Sequence, residues 1–222
     1  MYLINNYCMK IKIGPKHLER EFIFTIPEVD NIGIFMSGGL DSSAMLSLIL
    51  KELAETDRLK TVSLTAFTLE KPTGEPVYAT RILKKFEDHF QVNISHVNNI
   101  PNTEEAIRLG RMDTNVILET CRNFNGRMYL SGNNMPPSDI KTFKGNLDFV
   151  YKLNPLYVQP FLNLLKPQMT DILYKLGTDF IIPYTHSCAR QFKGKCNLCY
   201  SCEERSWGFE ELGLADPETI DL

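Results

Sequence analysis

The sequence predicts an α/β fold, a mostly parallel doubly wound sheet, and three observations carry that reading. Ile32 to Met36 is a short continuous apolar run, as suits a strand buried on both faces. Apolar residues at helical spacing follow at once, from Ser42 onward. Strand-like and helix-like segments then alternate, the pattern of right-handed βαβ crossovers with helices on both faces of the sheet.

Each element has its own signal. Lys10 to Ile13 and Arg20 to Thr25 alternate apolar and polar around Gly14-Pro15, which predicts a β-hairpin ahead of the main fold. Ser42 to Glu55 places Met45, Leu46, Ile49 and Leu53 on one helical face, with Asp41 available as N-cap. A strand follows near Thr61 to Phe67, then a helix from Glu75 to Phe90 with Ile82, Phe86 and Phe90 at four-residue steps. A strand near Val92 to Val97, a helix from Asn115 to Phe124 and a strand from Met128 to Leu130 complete the alternation. A helix from Glu203 to Leu212, stopped by Gly213, closes the chain. The expected organisation is a hairpin extension at 1–30, a nucleotide-binding α/β domain at 31–183 and a metal-binding segment at 184–222, packed as one unit.

Composition narrows the function classes. The 222 residues are 43% hydrophobic and 23% charged, enough for a core that needs no disulfide to hold it. With 24 basic against 27 acidic residues the net charge is -3, which argues against an extensive nucleic-acid surface or an anionic membrane and favours a small-molecule partner. No apolar stretch approaches the roughly 20 residues of a membrane span. Asn5, Asn6 and Lys10 interrupt the region where a secretory signal would lie, so a cytoplasmic location is expected.

Ligands of open α/β sheets bind beyond the carboxyl ends of the strands, which directs attention to the turn after Met36. Met36-Ser37-Gly38-Gly39-Leu40-Asp41-Ser42-Ser43 joins a buried strand to a helix. The glycines permit backbone angles and close approach that a side chain would block. Unpaired amides and the positive end of the helix dipole meet there, and the hydroxyls of Ser37, Ser42 and Ser43 can add donors. The turn is a pyrophosphate-sized anion cradle; its plainer alternative is a tight connection with a capped helix. The chain contains no Walker lysine loop and no G-x-G-x-x-G fingerprint, which removes kinase and dehydrogenase readings.

Ser-Gly-Gly-Leu-Asp-Ser at 37–42 resembles the PP-loop of the ATP pyrophosphatase superfamily. The resemblance implies that the loop grips the β and γ phosphates of ATP, with Mg2+, while a substrate oxygen attacks the α-phosphorus. Asp41 would then position metal and phosphates, with Ser37 beside it. Lys166, in Leu165-Lys166-Pro167-Gln168-Met169, falls where several relatives have a lysine opening a late helix; the alternative is a solvated first-turn lysine before Pro167 at N1.

Of six cysteines, Cys188, Cys196, Cys199 and Cys202 crowd together with spacing C-x7-C-x2-C-x2-C, while Cys8 and Cys121 stand alone. That distribution reads as a metal site. Four thiolates around one tetrahedral ion make zinc the first reading, with one structural ion per chain. An iron-sulfur cluster, a redox dithiol at Cys196 and Cys199, and unmetallated thiols are the alternatives. His186 is either a substitute ligand or a hydrogen-bonded loop residue.

Ser187-Cys188, the cysteine spacing and Phe209-Glu210-Glu211-Leu212-Gly213-Leu214-Ala215-Asp216-Pro217 together resemble the 7-cyano-7-deazaguanine synthase branch of PP-loop enzymes, over residues 31–217. The resemblance implies an ATP-dependent carbon-nitrogen ligase that joins ammonia to 7-carboxy-7-deazaguanine, with bound Zn2+ and a homodimeric assembly. Two loops depart from the family pattern. Phe67 to Gly74 lacks an aromatic-glycine-glutamine stretch, and Ser131 to Ser138 lacks an acidic, tyrosine-bearing loop. Gly132, Asn133 and Asn134 are candidate base contacts or ordinary turn residues. Other readings are a PP-loop enzyme adenylating another carboxylate or a tRNA base, and a nonenzymatic zinc-knuckle binding module.

Overall fold

The computed structural model describes residues 8–71, 73–105, 113–131 and 156–217. Two strands, β1 (Met9–Ile13) and β2 (Arg20–Phe24), pair antiparallel. The main sheet contains β3 (Asn31–Phe35), β4 (Ser63–Leu69), β5 (Ile94–Ile100), β6 (Arg127–Tyr129) and β7 (Tyr157–Val158) in the order β5-β4-β3-β6-β7, all parallel. The helices are α1 (Leu40–Glu55), α2 (Glu75–Phe90), α3 (Thr114–Asn123), α4 (Lys166–Lys175) and α5 (Tyr200–Glu210), with a 3-10 helix at Asp179–Tyr184. The expected α/β class is observed.

Side-chain alternation explains why both faces of the sheet are covered. Ile32 and Ile34 of β3 and Leu64 and Ala66 of β4 point into the large core shared with α1, α2 and α4. Phe35, Phe67 and Leu69 point the other way, into a smaller core with Ile117 and Cys121 of α3. The strand order reverses beside β3, because β4 and β5 extend the sheet on one side and β6 and β7 on the other. The turn after β3 therefore opens on the switch-point crevice.

The hairpin does not extend the main sheet. It forms its own two-stranded sheet on α4, where the Gly14 N–H donates to Asp171 Oδ2 at 2.8 Å and Gln168 Nε2 donates to the Leu18 carbonyl at 2.7 Å. Met9, Ile13, Phe22 and Phe24 join the large core. The hairpin thus buttresses the helix that carries Lys166.

Several boundaries differ from the sequence reading. Helix α1 begins at Leu40 with Gly39 as N-cap, so Asp41 is a first-turn residue and not the cap; its carboxylate instead accepts from Lys166. Strand β5 starts at Ile94 because Gln91, at φ 55°, ends α2 in the left-handed region, and Glu87 then accepts the Ile94 N–H. Helix α5 starts at Tyr200, capped by Cys199, and stops at Glu210. β7 and the 3-10 helix had too few residues or too little periodicity to be read. Gly132, Asn133 and Asn134 lie outside the described residues. Among the described residues no helix is long and apolar enough to cross a membrane.

Candidate functional site

The turn after β3 folds as a cradle because its hydroxyls and glycines have complementary tasks. Met36 is still anchored in the sheet, its N–H donating to the Phe67 carbonyl at 2.9 Å. Ser42 Oγ then accepts the Ser37 N–H at 3.3 Å, while Ser37 Oγ accepts the Gly39 N–H at 3.3 Å. Ser43 Oγ donates to the Gly39 carbonyl at 2.9 Å. No side chain caps α1, so its first-turn amides mark its positive end.

Gly38 adopts φ 75°, and a Cβ there would lie 2.5 Å from Tyr78 Cβ and 2.9 Å from the Ala79 nitrogen. Only glycine fits both the angle and the space. The segment leading to the first knuckle cysteine closes over the same residue: the His186 N–H donates to the Gly38 carbonyl at 2.8 Å. The His186 ring stacks on Tyr78 at 4.4 Å, and its Nε2 meets the Gln191 carbonyl at 2.7 Å. Burial pushes this imidazole below the usual histidine range. His186 is a hydrogen-bonded loop residue, outside the thiol cluster.

Lys166 opens α4 and is buried, 4% exposed, so the solvated reading does not hold; Leu165 is the cap and Pro167 the second helical residue. Its Nζ donates to Asp41 at 2.6 and 2.8 Å and to Glu204 Oε2 at 3.0 Å. Burial alone would push this lysine down. The two carboxylates outweigh burial and hold it above the usual lysine range, so it is an ammonium at neutral pH. The Tyr200 hydroxyl donates to Glu204 Oε1 at 3.3 Å. Glu204 escaped the sequence reading because a glutamate on an apparently solvated terminal helix carries no signal by itself. Its spacing with Gly208, one helical step of four, marks the face that packs on α4.

The knuckle brings Cys188, Cys196, Cys199 and Cys202 together, with all four sulfurs within 4.8 Å of one another and the Cys196 and Cys202 sulfurs 4.0 Å apart. Cys199 caps α5 and Cys202 lies in its first turn, where the helix dipole favours thiolates. At Cys196 burial raises the thiol pKa, but hydrogen bonds, first from the Leu198 N–H and then from neighbouring thiols, bring it down to about 7. Burial pushes Cys202 up to about 12. The thiolate form is thus favoured at Cys196 and disfavoured at Cys202. The donor set fits a single thiophilic ion.

The knuckle is fastened to the fold by Arg205, 2% exposed, whose guanidinium donates to Asp216 at 2.9 and 3.1 Å and to Thr185 Oγ1 at 2.7 Å. Lys195 pairs with the same Asp216. A buried arginine with its donors used this way is a structural clamp.

A partial match to a known protein agrees with the resemblance seen in the sequence. A 60-residue stretch is 47% identical to the 7-cyano-7-deazaguanine synthase of Methanosphaerula palustris, covering 26% of this chain and 25% of that protein. The aligned stretch is a quarter of the relative's length. Among solved structures, the U34-tRNA thiolase NcsA from Methanococcus maripaludis with its 4Fe-4S cluster aligns with a TM-score of 0.42 at 15% identity, over 82% of this chain and 66% of that one. No family model matches the chain.

Proposed function

We propose that this chain is an ATP-using PP-loop enzyme that adenylates 7-carboxy-7-deazaguanine and joins it to ammonia. The observation that carries the reading is the Lys166 ammonium, held 2.6 Å from Asp41 in the first turn of α1, beside the glycine cradle. A polyphosphate seated on the cradle meets the positive end of α1, hydroxyls and this buried cation together. Ser37, Gly38, Gly39, Leu40, Asp41, Ser42 and Ser43, following Met36, would hold the β and γ phosphates. Mg2+ would supply charge compensation there, with Asp41 as the nearest carboxylate.

The chemistry balances with ATP as substrate. A carboxylate oxygen attacks the α-phosphorus, pyrophosphate leaves, and an acyl adenylate results. Ammonia displaces AMP and loses a proton, giving the amide. The amide oxygen attacks the α-phosphorus of a second ATP and pyrophosphate leaves again; loss of AMP from carbon and of two protons from nitrogen then gives the nitrile. The protein's part is to position phosphates, to compensate charge on the leaving pyrophosphate and to exclude water.

Zinc is the proposed occupant of the four-thiol site. A tetrahedral ion with zinc-sulfur bonds of about 2.3 Å sets its sulfurs about 3.8 Å apart, close to the 4.0 Å between Cys196 and Cys202. An iron-sulfur cube interposes iron and sulfide and spreads its cysteines wider. With four thiolates a zinc has no open position, so its role is structural.

The test is to incubate the protein with ATP, ammonium and 7-carboxy-7-deazaguanine, following pyrophosphate and product mass. Amide or nitrile formation is expected. Pyrophosphate released only with tRNA would replace this reading with tRNA modification, and no nucleotide binding would leave a zinc-knuckle binding module.

A further inference from the structure

We infer that Glu204, on the helix that grows out of the cysteine knuckle, is a positioning residue for the nucleotide site: it holds Lys166 in place when Asp41 exchanges that lysine for phosphate. The inference deepens the proposed function and rests on the nucleotide half of that reading.

The geometry distinguishes the two partners of Lys166. An ammonium has three donors. Here they serve Asp41, at 2.6 and 2.8 Å, and Glu204, at 3.0 Å. The Asp41 side chain is 26% exposed, whereas that of Glu204 is 8% exposed and that of Lys166 5%. A ligand arriving at the positive end of α1 can therefore reach the Asp41 side of the lysine and not the Glu204 side. Donors that turn to a phosphate oxygen come away from Asp41, which is left to face the nucleotide's cation. The bond to Glu204 is the one that persists.

The surroundings of Glu204 fix it for that task. Residues two apart on a helix point to nearly opposite sides. Cys202 accordingly faces the thiol cluster while Glu204 faces α4. Gly208, one turn on, brings the helices together so closely that a Cβ there would lie 2.6 Å from Lys166 Cγ and 3.0 Å from Thr170 Oγ1. Tyr200, one turn back, donates to the other carboxylate oxygen. The knuckle thus sets the position of α5, and α5 sets the position of the lysine. A buried carboxylate is costly unless paired, so its presence in this helix contact argues for a polar task that apolar packing could not perform.

The test measures the Kd of the magnesium complex of α,β-methylene-ATP by calorimetry on the zinc-loaded full chain, with zinc content recorded for each variant. Glu204→Ala should weaken binding about tenfold or more, the scale of one charge-assisted hydrogen bond. Glu204→Gln, whose amide oxygen still accepts from the lysine, should restore most of the affinity. In a Lys166→Met background, Glu204→Ala should cost nothing further, because a positioning residue has no effect without the group it positions. Zinc should stay at about one per chain throughout. If Glu204→Ala does not fold, Glu204→Asp, which withdraws the carboxylate by one methylene, carries the same comparison. Parent-like binding by Glu204→Ala, or a loss undiminished in the Lys166→Met background, would overturn the inference alone. A parent protein that binds no magnesium nucleotide would overturn the nucleotide reading and this inference with it.

Discussion

Lys166 and Asp41, 125 residues apart in sequence, meet at 2.6 Å where the first turn of α4 crosses the first turn of α1. The contact joins the glycine turn after β3 to the helix braced by the hairpin and by the knuckle helix. Removing one member of a buried ion pair leaves an uncompensated charge, at a typical cost of about 3–5 kcal/mol. Lys166→Met should therefore lower the thermal midpoint and abolish measurable pyrophosphate release. Asp41→Ala should also lose turnover, and full turnover in that variant would remove Asp41 from the site.

The Lys166 ammonium also sets a pH dependence. Its folded-state pKa lies above the unfolded value of about 10.4, because the carboxylates outweigh burial. The stability it contributes is fully present below the unfolded value and is lost as pH rises through the folded one. The difference in unfolding free energy between the parent and Lys166→Met should be unaffected by this lysine from neutral pH to about pH 10 and shrink above it. Denaturant titrations at a series of pH values measure this, and shrinkage beginning near pH 8 would contradict it.

Much of this was legible in the sequence, for physical reasons. The apolar run 32–36 and the four-residue steps through Ile82, Phe86 and Phe90 report burial directly, and the structure has β3 and α2 there. The knuckle cysteines are close in sequence, so their spacing alone brings them within reach of one ion. The Asp41 capping role failed because a capping propensity is local, whereas the carboxylate is taken by a lysine on a distant helix. Glu204 was invisible for the same reason: its meaning comes from the packing of α5 on α4, which no local pattern encodes.

Gly38 should tolerate no side chain. Gly38→Ala places a Cβ 2.5 Å from Tyr78 Cβ at a φ of 75°, and left-handed strain alone costs on the order of 1–3 kcal/mol. Nucleotide affinity should fall more than stability if the displaced loop is the binding element, as proposed. Paired calorimetry and thermal melts check this, and wild-type affinity would contradict it.

Metal removal should be felt at the proposed nucleotide site. Cys196→Ser removes one of the four proposed zinc ligands and should lower zinc occupancy, the thermal midpoint and, through α5 and Glu204, affinity for the magnesium nucleotide. Metal analysis of the parent should find about one zinc and no iron per chain. A cysteine variant that loses its metal but binds nucleotide unchanged would confine the knuckle to stability.

The most direct measurement follows the oxygen. With 7-carboxy-7-deazaguanine labelled with 18O in its carboxylate, and with ATP and ammonium supplied, mass spectrometry of the products locates the atom that attacked phosphorus. Attack at the α-phosphorus puts one 18O into AMP for each pyrophosphate released, and that is the expected result. Label appearing in inorganic phosphate alongside ADP, or AMP formed without label, would contradict it.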